Sequence, residues 1–228
     1  MIINQKPEER LDDLQIKGYK ILQNPGRFCF GMDAVLLSAF ADVKKNERAL
    51  DLGTGTGILP ILLHAKYKGQ HYTGLEIQPE SADMARRSVA YNSLEDKIHI
   101  VTGDIKEAAE QFGPASFDVI TTNPPYMIGE HGLKNEKEAL YIARHEALCT
   151  LDDVLAQSAK VLKVKGRFYM VHRPNRLNEI NKVLYANHFS IRNLQFAYDH
   201  RDNQVKSVLI EAIKESNCDM KVLEPIYI

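Results

Sequence analysis

Short apolar runs alternate along the chain with stretches whose apolar positions recur at helical spacing. Arg48-Ala49-Leu50-Asp51-Leu52 is an apolar run that stops at Gly53 and predicts a buried strand. Ile58 to Tyr67 predicts an apolar-faced helix after a glycine turn, and His71 to Ile77 a second strand. Glu80 to Asn92 predicts a helix that starts near Pro79 or Ser81. Ile98 to Val101 and Phe117 to Thr122 predict two more strands, the latter halted by Asn123-Pro124-Pro125. Leu151 to Leu162 reads as an amphipathic helix and Arg167 to His172 as a fifth strand. Phe189 to Ala197 and Lys206 to Ile213 have only the polar stretch 198–203 between them, which predicts an antiparallel pair. The alternation predicts an α/β fold, a doubly wound and mostly parallel sheet with helices on both faces. Ligands of such sheets bind at the carboxyl ends of the strands, here just after residues 52, 76, 102 and 122.

Composition narrows the class. The 228 residues are 44% hydrophobic and 26% charged, with 13 Gly and 9 Pro, which excludes fibrous and largely disordered chains. Lys and Arg number 29 against 30 Asp and Glu, a net charge of -1, so a globally basic nucleic-acid coat is excluded while a local patch is not. Cys29, Cys149 and Cys218 are far apart and suggest neither a disulfide framework nor a zinc site. The first ten residues lack a signal-peptide pattern, and the longest strongly apolar run, Ile58 to Leu63, falls short of the roughly 20 residues of a membrane span. The expectation is a soluble chain of the reduced cytoplasm, with no membrane partner.

The strand ends carry the candidate chemistry. Asp51-Leu52-Gly53-Thr54-Gly55-Thr56-Gly57 allows close backbone approach to a ligand, or serves simply as a structural turn. Ile58 stands where a dinucleotide fingerprint needs its third glycine, and the leading acid suits a cationic amino group better than a pyrophosphate. Glu76 ends the second strand, where a carboxylate can accept from both hydroxyls of a ribose, or is merely solvated. Asp104 could accept from a nucleobase amine between Ile77 and Ile105, or cap the turn beginning near Lys106, or both. Asn123-Pro124-Pro125-Tyr126 is the sharpest signal. Two prolines hold the chain extended and remove backbone donors, which leaves the Asn123 side-chain oxygen and the Pro124 carbonyl as acceptors. Such a pair can hold an –NH2 group, and Tyr126 offers a ring for stacking. The alternative is a proline-ended strand entering a loop.

These four sites resemble the class I S-adenosylmethionine-dependent methyltransferases over essentially the whole chain. The resemblance implies a seven-stranded Rossmann-like sheet with an antiparallel C-terminal hairpin, and S-adenosyl-L-methionine as cofactor. It implies a methionine cradle at Asp51, Gly53, Thr54, Gly55 and Gly57, ribose binding by Glu76, and adenine binding by Asp104, with Ile77 and Ile105 as the apolar contacts of the base. It assigns amine methylation to Asn123, Pro124, Pro125 and Tyr126, since the tetrapeptide marks enzymes acting on adenine N6, cytosine N4, guanine N2 or a glutamine amide.

Residues before the glycine loop narrow the substrate. Glu9 to Leu14, Ile21-Leu22-Gln23, Arg27 to Leu37, Met127 and Ala143-Arg144-His145-Glu146 resemble the bacterial tRNA(Val) adenosine N6-methyltransferases, which act beside the anticodon at position 37. Residues 1–45 then form an extension packing on the cofactor and substrate site, and 46–228 the methyltransferase domain. Phe28 and Phe30 would cover the cofactor or target base, although Phe30 equally suits core packing. Asp33 is a substrate-side candidate whose plainer reading is an N-cap of a helix from Ala34 to Ala41.

Lys160, Lys163, Lys165, Arg167, Arg173 and Arg176 fall in 154–178, which contains no acid; a solvated helix face explains part of this run. Arg173 and Arg176 follow the fifth strand at the active edge. With Lys134, Arg144 and His145 they suit RNA phosphates. His131, His145 and Glu146 have no metal-ligand spacing, so no metal is expected. The function expected is N6-methylation of a tRNA adenosine. Alternatives are a protein glutamine, another exocyclic amine in rRNA, or an RNA-binding adaptor that keeps the fold. A release-factor methyltransferase would carry a helical N-terminal domain, for which about forty residues leave little room. DNA is not expected as partner, because no target-recognition domain is visible.

Overall fold

A computed structural model describes residues 4–27, 29–124 and 149–228. Phe28, Pro125, Tyr126, Met127, His131, Lys134, Arg144, His145 and Glu146 lie outside them.

Two short strands, β1 (Arg10–Asp13) and β2 (Lys20–Gln23), pair antiparallel as a separate hairpin. Then come α1 (Met32–Phe40), β3 (Arg48–Leu52), α2 (Ile58–Lys66), β4 (His71–Glu76), α3 (Pro79–Tyr91) and β5 (Ile98–Thr102). Next are the short α4 (Ala108–Phe112), β6 (Phe117–Thr122), α5 (Leu151–Val161) and β7 (Leu162–His172). The chain closes with α6 (Leu177–Ala186), β8 (Phe189–Tyr198), β9 (Val205–Lys214) and the two-residue strands β10 (Lys221–Val222) and β11 (Ile226–Tyr227).

The main sheet runs β8-β9-β7-β6-β3-β4-β5, with β10 and β11 extending it parallel to β8. β3, β4, β5, β6 and β7 are parallel, and β9 runs antiparallel between β7 and β8. The seven longer strands form the sheet that the alternation and the resemblance imply. Strand order reverses between β3 and β6, and that switch point is where such sheets open a crevice.

Alternate strand residues serve two cores. Ala49, Val119, Tyr169 and Val171 pack with α1, α2 and α3 on one face. Leu50, Ile120, Phe168 and Met170 pack with α4, α5 and α6 on the other. α3 carries Pro at N1, where a missing N–H costs nothing. α5 opens with a capping box, Thr150 and Asp153 bonding reciprocally.

Several elements depart from expectation. The first strands are a hairpin clamped to α3: Leu22 N–H donates to Ser88 Oγ at 2.9 Å, and Asn92 exchanges hydrogen bonds with the Lys20 backbone. α6 occupies a stretch in which no helix is predicted. Asp33 does not cap its helix. α1 begins at Met32, two residues before the expected Ala34, with Gly31 at the N-cap position and no side-chain cap.

Candidate active site at the carboxyl ends of β3, β4, β5 and β6

Leaving β3, the chain curls over the end of β4. Gly53 and Thr54 N–H both donate to Leu75 C=O, at 2.9 and 3.0 Å. Gly53, Gly55 and Gly57 have φ of +73°, +57° and +85°, a backbone that side chains rarely adopt and that favours glycine. Gly57 then starts α2 without a side-chain cap. Gly74 makes room from below: a Cβ there would lie 2.7 Å from Thr54 Cγ2.

Asp51 is 2% exposed, and its Oδ1 accepts from the Thr121 hydroxyl at 2.8 Å. Burial pushes its carboxyl up to about 7; the nearby charge of Glu76 adds to this, while Thr54 and Thr121 oppose it. Thr54 is near enough to favour the charged form. At hydrogen-bonding geometry, however, neither Asp51 Oδ2 nor Thr54 Oγ1 has a partner among the described residues. Asn123 Oδ1 and Gln23 Nε2 are likewise buried without one. Buried polar atoms are otherwise nearly always paired, so such a group signals a ligand site.

Glu76, 5% exposed at the end of β4, accepts from Gly55 N–H at 2.8 Å and Gln78 N–H at 2.9 Å. These bonds tie the ribose candidate to the glycine loop. Ile77 follows it and is 42% exposed. Asp104 Oδ1 accepts from Lys106 N–H at 2.9 Å, so it does cap the turn after β5. Ile105 packs against the second core and comes within 4.0 Å of where a Gly53 Cβ would stand. Glycine loop, Glu76, Asp104 and Asn123 therefore share one edge. Asn123 and Pro124 follow β6 directly, half-buried.

The substrate-side candidates divide. Phe30 is partly buried and packs against the first core. Asp33 Oδ1 accepts from Ser207 Oγ at 2.5 Å, and Asp33 Oδ2 lies 3.7 Å from Arg173. Arg173 also donates to Lys206 C=O at 2.8 Å, and Arg176 forms two bonds to Glu179. Both arginines border the active edge. Lys163 and Arg167 point elsewhere: at the opposite edge they pair with Asp118, and with Asp42 and Glu47. The basic run is thus two separate clusters.

Sequence reasoning missed Thr121 and Gly74 as contributors. Thr121 is the register partner of Asp51 across the β3–β6 pair, a relation visible only once strand order is known. Among the described residues no cluster of His, Cys, Asp and Glu could hold a metal ion, and no helix is long and apolar enough to cross a membrane.

This sheet, with its glycine cradle at the switch point, has the Rossmann-like methyltransferase fold. The chain belongs to the methyltransferase small domain family, whose model matches residues 18–195. It is 30% identical over 181 residues to the tRNA1(Val) (adenine(37)-N6)-methyltransferase of Porphyromonas gingivalis, covering 77% of this chain and 69% of that protein. Among solved structures it resembles a predicted O-methyltransferase from Agrobacterium tumefaciens, with TM-score 0.69, 21% identity and coverage of 86% and 87%. It also resembles P. horikoshii TYW2 in complex with MeSAdo, with TM-score 0.64, 13% identity and coverage of 92% and 73%.

Proposed function

We propose that this chain transfers a methyl group from S-adenosylmethionine to N6 of an adenosine in tRNA, at anticodon-loop position 37 of the tRNA(Val) type. The observation that carries the reading is the cluster of orphaned acceptors at the switch point, Asp51 Oδ2 and Asn123 Oδ1, with the Thr54 hydroxyl beside Asp51. These residues fit the cofactor. Asp51 and Thr54 would meet its ammonium group, Glu76 its ribose, and Ile77 and Asp104 with Ile105 its adenine. The name of the Porphyromonas relative supports the choice of substrate.

Bound S-adenosylmethionine supplies an electrophilic methyl on its sulfonium. Asn123 Oδ1 and the Pro124 carbonyl accept the two amine hydrogens and aim the nitrogen lone pair. Orientation and electrostatics supply the rate, because the amine sheds its proton readily once methylated. An exposed loop base costs little to flip into such a site. Pro125 and Tyr126 complete the tetrapeptide, Tyr126 stacking the base. Phe28, Phe30, Asp33, Arg144, His145, Arg173 and Arg176 are the substrate-side contacts of this reading. A cytoplasmic location accompanies a tRNA substrate.

The test is methyl transfer from labelled S-adenosylmethionine to unmodified tRNA, followed by nucleoside analysis. The expected product is N6-methyladenosine in one tRNA, abolished by Asn123→Ala with cofactor binding retained. Absence of label from tRNA, with the cofactor bound, would overturn the substrate and send the search to rRNA and protein glutamine.

A further inference from the structure

Among the described residues, the buried polar atoms Asp51 Oδ2, Thr54 Oγ1 and Asn123 Oδ1 lack a partner at the switch point, and one more, on Gln23, lies elsewhere in the chain. Gln23 stands at the end of β2 and is 1% exposed. Its Oε1 accepts from Phe30 N–H at 3.2 Å, which fixes the orientation of the amide. The group left over is therefore Nε2, a pure donor.

The place of Gln23 follows from contacts along α3. β2 runs against that helix: the Lys20 backbone meets Asn92, Leu22 N–H meets Ser88, and Arg27 comes within 3.6 Å of Glu80. This progression sets Gln23 level with the turn containing Met84 and Ala85. On the same turn, Ala85 Cβ is 3.1 Å from where a Gly57 Cβ would stand, so the glycine cradle packs there too. Further along, Arg27 lies beside Glu80 at the start of α3 and Asp33 beside Ser207 next to the end of β7, both at the active edge.

The cofactor's amino-acid end is a zwitterion. Its ammonium needs acceptors, which Asp51 Oδ2 and Thr54 Oγ1 offer, and its carboxylate needs donors. We infer that Gln23 Nε2, carried by the N-terminal hairpin, donates to the α-carboxylate of the cofactor held in the glycine cradle. This rests on the S-adenosylmethionine reading and goes beyond it. The hairpin becomes a binding element for the amino-acid end, and cofactor affinity depends on its docking to α3.

Two ligands separate the possibilities by direct calorimetry. S-adenosylhomocysteine carries the amino-acid end; 5′-methylthioadenosine has the same adenosine and thioether without it. Gln23→Glu keeps an acceptor for Phe30 N–H and sets a negative charge against the carboxylate. Gln23→Met removes the donor at similar length. Both variants are expected to weaken S-adenosylhomocysteine by about tenfold or more, Glu beyond Met, while 5′-methylthioadenosine changes by less than about threefold. Unchanged S-adenosylhomocysteine affinity would overturn the inference. So would equal loss of both ligands, which assigns Gln23 to hairpin support alone. Failure of the unmodified protein to bind S-adenosylhomocysteine would instead sink the cofactor reading itself.

Discussion

Thr121 and Asp51 are register partners on adjacent parallel strands, and the Thr121 hydroxyl donates to Asp51 Oδ1 at 2.8 Å. One carboxylate oxygen is thereby fixed from the side, while the other is buried and unmatched among the described residues. Such a group is poised for a cation.

The pH dependence follows from that poise. Asp51 titrates at about 7 in the folded chain, with burial the main cause, against an ordinary value of 3.8. An ammonium ligand needs the ionised form, so S-adenosylhomocysteine affinity is expected to fall as pH drops below about 7, approaching tenfold per pH unit. Stability moves the other way. The folded chain keeps a proton that the unfolded chain has lost, so stability present below 3.8 is lost as pH rises through 7. Asp51→Asn is expected to raise stability at pH 8 by on the order of 1–4 kcal/mol and to weaken cofactor binding. Denaturant melts at pH 5 and 8, with calorimetry across the same range, check both. A flat binding profile from pH 5.5 to 8 would refute the coupling.

Gly74→Ala tests the support beneath the glycine loop. The added methyl meets Thr54 at 2.7 Å and Ile100 Cδ1 at 2.9 Å, both in the packed interior. A loss of about 1–3 kcal/mol in stability is expected. S-adenosylhomocysteine affinity is expected to fall as well, since Thr54 must move. Unchanged affinity would show that the loop position does not depend on Gly74.

Arg87→Met tests how the N-terminal segment is held. Arg87 donates to both Glu9 oxygens at 2.6 and 2.7 Å, and also to Asp83 and to Asn4 C=O. Glu9 is 7% exposed, and the Arg87 hydrogen bonds hold its carboxyl below the usual range. Removing the arginine strands that charge, for an expected loss of about 3–5 kcal/mol by chemical denaturation. Adding Glu9→Gln is expected to recover part of it. No recovery in the double variant would mean that the pair is not the anchor.

How much was legible beforehand depended on burial. β3, β4 and β6 are covered on both faces, so they read as apolar runs. α6 was missed because only Ile180 and Leu184 are fully buried in a stretch otherwise rich in Asn, Glu and Lys. The β1–β2 hairpin was missed for a similar reason. Its strands are four residues each and owe their place to side chains of α3 rather than to an apolar pattern of their own. Asp33 looked like a cap because it stands just before Ala34-Val35-Leu36-Leu37. Its real partners, Ser207 and Arg173, are far along the chain.

Local chemistry explains what the sequence determined by itself. Glycines at 53, 55 and 57 demand a tight loop, prolines after Asn123 demand an extended exit, and alternating strands and helices demand a doubly wound sheet. Each of those signals lies within a few residues. Tertiary structure alone decided which acid would be raised toward neutrality, that Lys163 and Arg167 would pair at the opposite edge, and that Gln23 would be buried with an unmatched donor. Those outcomes depend on desolvation and on pairs that strand order brings together, such as Thr121 with Asp51. Strand order comes from packing two apolar faces against two helix layers, which no local pattern encodes.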